Sequence, residues 1–290
     1  MKLARFGIPG SEKPARIDAQ GGLRDLSEHL TDITAETLSD KQLEKIAAID
    51  IDRLPFVESH VRIGPPVAGV GRIICIGLNY KDHAAETRLA LPAEPLVFMK
   101  GCHPSGPNDN ICLPSGSKKA DWEVELAVVI GKRGLYIREE ESLSYVAGYC
   151  AFNDFSEREY QMERGGQWTK GKSFPGFAPM GPWLVTRDEV PFPDDLRLWL
   201  DVDGHRYQDG TTKNLIFSVP TIIAYVSRFF ELEPGDVIAT GTPAGVGLGH
   251  EPTPVFLKPG NIIELGVENL GVQRQLILAW DHYRRQTHLT

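Results

Sequence analysis

The sequence predicts an α+β, β-rich fold: a roll or sandwich of mixed sheets with a small N-terminal α/β unit. Three observations lead there. Short runs rich in Val, Ile and Leu recur between turns built from Gly, Pro, Asn and Asp. Helical periodicity is sustained in only two stretches, after Thr34 and after Ser218. Strands and helices do not alternate, as a doubly wound parallel sheet would need.

Residues 1–68 form the first unit. Leu3–Phe6, Ala15–Asp18 and Leu23–Leu26 are strand candidates, with Gln20-Gly21-Gly22 as a turn, and Leu38, Leu43, Ile46 and Ala47 mark a helix. Nothing in this unit carries chemistry, so it reads as a packing or dimer-orienting module. The breaker-rich Gly64-Pro65-Pro66-Val67-Ala68-Gly69 leads into the second unit, residues 69–290. Its strand candidates are Arg72–Gly77, Leu96–Lys100, Glu123–Ile130, Val146–Phe152, Leu184–Thr186, Leu196–Val202, Val237–Ala239, Ile262–Val267 and Val272–Trp280. Asp203-Gly204 and Asn269-Leu270-Gly271 supply hairpin turns. A helix over Val219–Phe230 is signalled by Ser218 as N-cap, Pro220 in the first turn, and Ile222, Ile223, Val226, Phe229 and Phe230 as its apolar face.

With 290 residues, 41% of them hydrophobic and 24% charged, the chain suits a soluble globular protein with a sizeable core. A net charge of −8 argues against nucleic acid or an anionic membrane surface as partner. No apolar run approaches the ~20 residues of a membrane span and the N-terminus lacks a signal peptide's apolar core, so the expected location is the cytoplasm. Cys75, Cys102, Cys112 and Cys150 show no metal-finger spacing and read as reduced packing residues.

The chemistry centres on Trp122–Gly131. Alternate side chains of a strand share a face, placing Glu123 and Glu125 about 6.6 Å apart on one side with Trp122, Val124 and Leu126 on the other. An exposed edge strand kept soluble by charge would show the same alternation. A buried pair, however, would need a cation or a proton, since two close carboxylates repel. A third acid, Asp154, ends the apolar run Tyr149–Asn153, and three hard oxygen ligands suit Mg²⁺ or Mn²⁺.

Other segments supply groups that such a site would use. His83 and Glu86 stand three apart in a short helix after a strand, spaced for the carboxylate to orient the imidazole as a base for water, although such pairs are common on plain surfaces. The run from Thr87 to Pro95 is poor in apolar anchors and suits a mobile lid. Asp154–Gln161 is predicted to be helical, so that Arg158 and Gln161 share a face and offer a cation and an amide. Lys172, between glycine and aromatic residues, would be partly desolvated unless a counter-charge arrives. Thr240–Gly247 reads as a glycine-rich anion nest, with Gly241 opening the backbone and Thr242 adding a hydroxyl; it lacks the Lys-Ser/Thr ending of a phosphate loop, so its expected guest is a carboxylate.

Taken together, Gly77-Leu78-Asn79-Tyr80 with His83, Glu123-Val124-Glu125, Asn153-Asp154, Gly171-Lys172-Ser173-Phe174 and Gly241–Gly247 resemble the fumarylacetoacetate hydrolase family, over roughly residues 70–280. The resemblance implies a mixed β-sandwich roll, a homodimer, and Mg²⁺ or Mn²⁺ held by Glu123, Glu125 and Asp154. It also implies His83 and Glu86 as the water-activating dyad, Lys172 and Gln161 at the substrate oxygens, and Thr242 at the substrate carboxylate; Arg158 and Gly241, from the readings above, are expected to contact the substrate beside them. Larger family members use a fourth acidic ligand that has no clear equivalent here. Phe177–Trp183 and the N-terminal unit most resemble bacterial members acting on 2,4-diketo-3-deoxy-rhamnonate or -fuconate. The expected activity is therefore metal-dependent hydrolysis of a C–C bond in a 2,4-diketo acid, giving pyruvate and an acid such as lactate. Decarboxylation of an oxaloacetate-type acid, isomerisation of an unsaturated diacid and ureidoglycolate cleavage would use the same metal and enolate, and a non-catalytic binder of 2-oxo acids is a further alternative.

Overall fold

The computed structural model of the chain describes residues 1–58, 60–88 and 90–281. Its central feature is a ten-stranded sheet. Nine strands lie side by side in the order Leu23–Asp25, Lys13–Ile17, Lys2–Phe6, Leu184–Thr186, Val146–Asn153, Val124–Ile130, Val237–Ala239, Ile73–Gly77 and Leu96–Lys100, while Ile63–Gly64 pairs with Lys2–Phe6 off that path. A second sheet orders His205–Thr211, Arg197–Val202, Ile262–Val267, Gly271–Leu278 and Ile111–Cys112. Both sheets are mixed: Val237–Ala239 runs parallel to Ile73–Gly77, and Gly271–Leu278 runs parallel to Ile111–Cys112.

Val124–Ile130 is buried along its whole length, so this is a central strand and not a charged edge. Its alternation sorts the core into two layers. Val124, Leu126, Val128 and Ile130 pack with Leu198, Leu200, Ile263 and Leu265 of the second sheet and with Ile222, Ile223 and Val226 of the helix Val219–Val226. Ala127 and Val129 belong to the opposite layer, which includes Leu3, Leu26, Leu38 and Leu43 of the N-terminal segment. Residues 1–68 thus add their strands to the main sheet through the pairing of Leu3 with Leu184, and the two units expected from the sequence share one sheet. The four cysteines are free thiols.

Most strand expectations match within a residue or two, and the differences have identifiable causes. The helix after Ser218 stops at Val226, four residues early. In a longer helix the Ser227 carbonyl would accept the N–H of residue 231; here it accepts that of Tyr136 at 2.9 Å, and Phe229 is left 62% exposed. The helix expected over Asp154–Gln161 is instead a short strand, Ser156–Glu157, followed by a π-helical turn over Glu159–Glu163. Pairing with Ala120–Asp121 and the Arg158 N–H bond to the Lys119 carbonyl (2.9 Å) draw the backbone out of helical geometry. The strand His205–Thr211 was not expected beyond its turn, because a largely polar sequence hides it; Asp203 and Gly204 at φ +51° and +78° form the tight hairpin that pairs it with Arg197–Val202.

Candidate functional site

Register brings the acids together. Val124 pairs with Asn153 and Glu125 with Phe152, so Asp154, one step beyond the neighbouring strand, lies beside Glu123 and donates its N–H to the Glu123 carbonyl at 2.9 Å. Carboxylate oxygens of Glu123, Glu125 and Asp154 all fall within 4.8 Å of one another, and all three residues are buried.

Buried cations surround two of the three acids. Lys172 Nζ bridges Glu123 Oε2 and Asp154 Oδ2, both at 2.8 Å, and Arg158 Nη1 sits 2.7 Å from Glu123 Oε1. Lys100 Nζ pairs with the other oxygen of Asp154 and donates to the Phe155 carbonyl at 3.1 Å. Burial would raise the Glu123 carboxyl, but Lys172 and Arg158 outweigh it and hold it down at about 2. Burial would likewise lower Lys172, but Asp154 and Glu123 outweigh it and keep the ammonium charged.

Glu125 differs from the other two. Among the described ion pairs none involves it, and its oxygen Oε2 accepts one N–H, from Gly241 at 2.9 Å. Burial, then the charges of Asp154 and Glu123, push its carboxyl well above the ordinary range. Three converging hard oxygens, one of them on an acid short of a counter-charge, fit a divalent metal such as Mg²⁺ or Mn²⁺, which would supply what the chain lacks at Glu125.

The His83–Glu86 pair is formed. The helix Lys81–Glu86 places His83 Nδ1 3.2 Å from Glu86 Oε2, and His83 lines the cavity that also exposes Glu123, Glu125, Arg158, Gln161, Lys172, Gly241 and Thr242. Arg158 Nη1 donates to Gln161 Oε1 at 3.0 Å, so the pair predicted to share a helix face is joined by the π-helical turn instead. The cavity holds about 140 Å³.

The glycine-rich segment is an anion nest whose guests are the protein's own carboxylates. Gly241 N–H binds Glu125, Gly245 N–H binds Glu86 Oε1 at 2.9 Å, and Gly247 and Leu248 N–H bind Asp121 at 2.7 and 3.0 Å. Gly241 and Gly245 both sit at φ +101°, and a Cβ on Gly245 would lie 1.9 Å from the Tyr207 carbonyl oxygen. The Thr242 hydroxyl has its proton committed, donating to the Val124 carbonyl and accepting from Gln208 Nε2, each at 2.8 Å. Gly241 and Thr242 thus brace the site from within the protein and also line the cavity where a substrate carboxylate contact is expected.

Sequence reasoning missed Asp121 and Lys100. Asp121 holds Arg158 Nε at 2.7 Å as well as the two loop amides, making it the bracket between guanidinium and loop. Its signal was available, because Asp121, Glu123 and Glu125 continue one alternation. Lys100 ends the apolar strand Leu96–Lys100, and a lysine there reads as ordinary surface until the fold buries it against Asp154.

The sequence matches the fumarylacetoacetate (FAA) hydrolase C-terminal family over residues 72–277, and the chain belongs to that family. A Burkholderia multivorans relative is 56% identical over 280 residues, covering 96% of this chain and 99% of its own; its name proposes a hydrolase and gives no substrate. The solved fumarylacetoacetate hydrolase of the psychrophile Exiguobacterium antarcticum is 35% identical with a TM-score of 0.84, over 96% of this chain and 99% of that one. Maleylpyruvate hydrolase of Sphingobium sp. SYK-6, solved with manganese(II) and pyruvate, is 27% identical with a TM-score of 0.80, over 96% and 99% of the two chains.

Proposed function

We propose that the protein hydrolyses the bond between C3 and C4 of a 2,4-diketo acid, releasing pyruvate and the carboxylic acid that contains the former C4. The observation that carries this reading is that His83, paired with Glu86, lines the same small cavity as Glu123 and Glu125. A divalent metal held by Glu123, Glu125 and Asp154 would supply Lewis-acid polarisation of the 2-oxo acid head. Glu86, anchored by the Gly245 N–H, orients His83 through Nδ1 and leaves Nε2 to take a proton from water. The resulting hydroxide adds to C4, the C3–C4 pair of electrons passes to C3 as pyruvate enolate, and a proton delivered to C3 completes pyruvate. The Lys172 ammonium, fixed by two carboxylates, faces the head with its charge in place before the enolate forms. Arg158, held by Asp121, and Gln161, which accepts from Arg158, give the head a rigid polar wall. A 2,4-diketo-3-deoxy sugar acid, whose cleavage would leave lactate, is one member of this substrate class.

The test offers metal-loaded protein a panel of 2,4-diketo acids together with oxaloacetate, scoring pyruvate, organic acid and carbon dioxide separately. Hydrolysis needs a positioned base, which typically contributes ~10²–10⁴-fold, so His83→Ala and Glu86→Gln should each lower it at least ~10²-fold. Decarboxylation needs no activated water and should stay within roughly tenfold. Parent-like hydrolysis by the His83 variant would remove the dyad from the mechanism.

A further inference from the structure

The cavity has two chemically distinct halves. Its polar lining comes from the acids and the groups bonded to them, and its apolar lining includes Leu78, Leu96, Phe98, Met162, Trp168 and Leu248. Arg158 and Lys172 are the only Lys or Arg side chains among the described residues lining the cavity, and both are engaged by Glu123 and its neighbours. Among the described residues that lining carries two hydroxyls: Thr242 donates to the Val124 carbonyl and accepts from Gln208 Nε2, and Thr87 is turned back to donate to the His83 and Ala84 carbonyls at the end of its own helix.

This apolar wall is held rigidly. Trp168 meets Phe98 edge-on at 5.4 Å and lies against Gly77, where a Cβ would come within 2.5 Å of the indole. Phe98 is also the ring beneath Lys172 Nζ, 5.2 Å away, so the apolar surface begins directly at the head-binding group. Leu96, Met162 and Leu248 of this lining are 41%, 51% and 37% exposed, so apolar surface runs from the cavity out to solvent.

Resting on the hydrolase reading above, we propose that the substrate's tail beyond C4 is short, uncharged and apolar: an alkyl chain or a single ring, and neither a second carboxylate nor a polyhydroxylated sugar-acid chain. A terminal carboxylate would be desolvated with no cation to meet it, and sugar hydroxyls would lose water without gaining partners. The cavity volume of about 140 Å³ is below that of sites for drug-sized ligands and sets the tail at a few carbons.

The experiment measures kcat/KM of the metal-loaded full chain for 2,4-diketo acids that share one head and differ only in the tail: methyl, propyl, isobutyl and phenyl against carboxylate-ended and hydroxylated tails of matched length. Apolar extension should raise kcat/KM about tenfold or more, and the carboxylate-ended and hydroxylated compounds should fall at least ~10²-fold below the best apolar one. Met162→Arg should narrow that gap by favouring the carboxylate-ended tail and penalising the alkyl one. Equal or better turnover of the charged or hydroxylated compounds by the parent protein would overturn the proposal while leaving the hydrolase reading intact. If no diketo acid is cleaved, that reading fails, and the wall is judged by binding: the midpoint shift given by 2-oxohexanoate against 2-oxoadipate should still favour the alkyl acid by tenfold or more in affinity. An equal shift, or a larger one with the dicarboxylate, would overturn the tail assignment independently.

Discussion

Replacing Glu125 with Gln tests the metal assignment through stability as well as activity. Glu125 is buried, receives one backbone N–H, and has no cation in salt-bridge range among the described residues. Its carboxyl is raised by burial and by Asp154 and Glu123, so in the metal-free fold the ionised form is the unfavourable one. A carboxyl whose folded value lies above its unfolded one contributes stability that is fully present below the unfolded value, near 4.5, and lost as pH rises through the folded value. Metal-free parent protein should therefore lose stability as pH rises above that range, and Glu125→Gln should flatten the decline. Metal reverses the ranking. At a free metal concentration of about a hundred times Kd, binding stabilises the parent by roughly 2.7 kcal/mol. Unfolding entropy of about 2.1 cal/mol/K per residue gives roughly 0.6 kcal/mol/K for 290 residues, so the midpoint should rise by about 4 °C. Loss of one ligand should weaken binding at least ~10²-fold, leaving the variant roughly 0.4 kcal/mol, less than about 1 °C, at the same concentration. Calorimetry of chelator-dialysed protein, with and without Mg²⁺ or Mn²⁺ from pH 6 to 9, reads both effects. A full 4 °C metal shift in the variant, or a metal-free variant melting well below the parent at pH 8, would refute the reasoning.

Three further outcomes follow from particular contacts. Lys100→Met leaves a buried Asp154 oxygen without its cation; breaking such a pair costs about 3–5 kcal/mol, so the midpoint should fall by roughly 5–8 °C in metal-free protein and by less once metal is added, measured by calorimetry. Gly245→Ala places a Cβ 1.9 Å from the Tyr207 carbonyl oxygen at φ +101°, so the loop must move and release Glu86; kcat should drop at least ~10-fold with about 1–3 kcal/mol lost in denaturant melts, and parent-like values would show that the Gly245–Glu86 bond does not matter. The helix Lys81–Glu86 is only six residues long and is held by the Glu86–Gly245 bond and by Asn214 Nδ2 on Asp82 Oδ2 at 3.1 Å, so its amide exchange should slow when pyruvate or oxalate is added with Mg²⁺; unchanged exchange would argue against a lid.

The sequence by itself determined the local features of this protein. Alternation in Trp122–Gly131 separated the acids from the apolar face, the apolar run into Asn153 marked Asp154, and the spacing of His83 and Glu86 placed imidazole and carboxylate on one helical turn; each depends on backbone periods of two or 3.6 that neighbouring residues suffice to define. Family motifs then ordered those pieces into one site. What only the tertiary structure decided depends on which distant groups compete for the same partner. No local pattern shows that the Gly241–Leu248 amides are consumed by Glu125, Glu86 and Asp121, or that the Thr242 hydroxyl is held by Val124 and Gln208. Lys100 and Asp154 are 54 residues apart and meet through strand order, and Leu78, Trp168 and Leu248 become one wall only when three separate loops converge. Chain-local chemistry thus specified the reacting head of the site, while long-range packing set its counter-charges and the apolar character of the space beyond it.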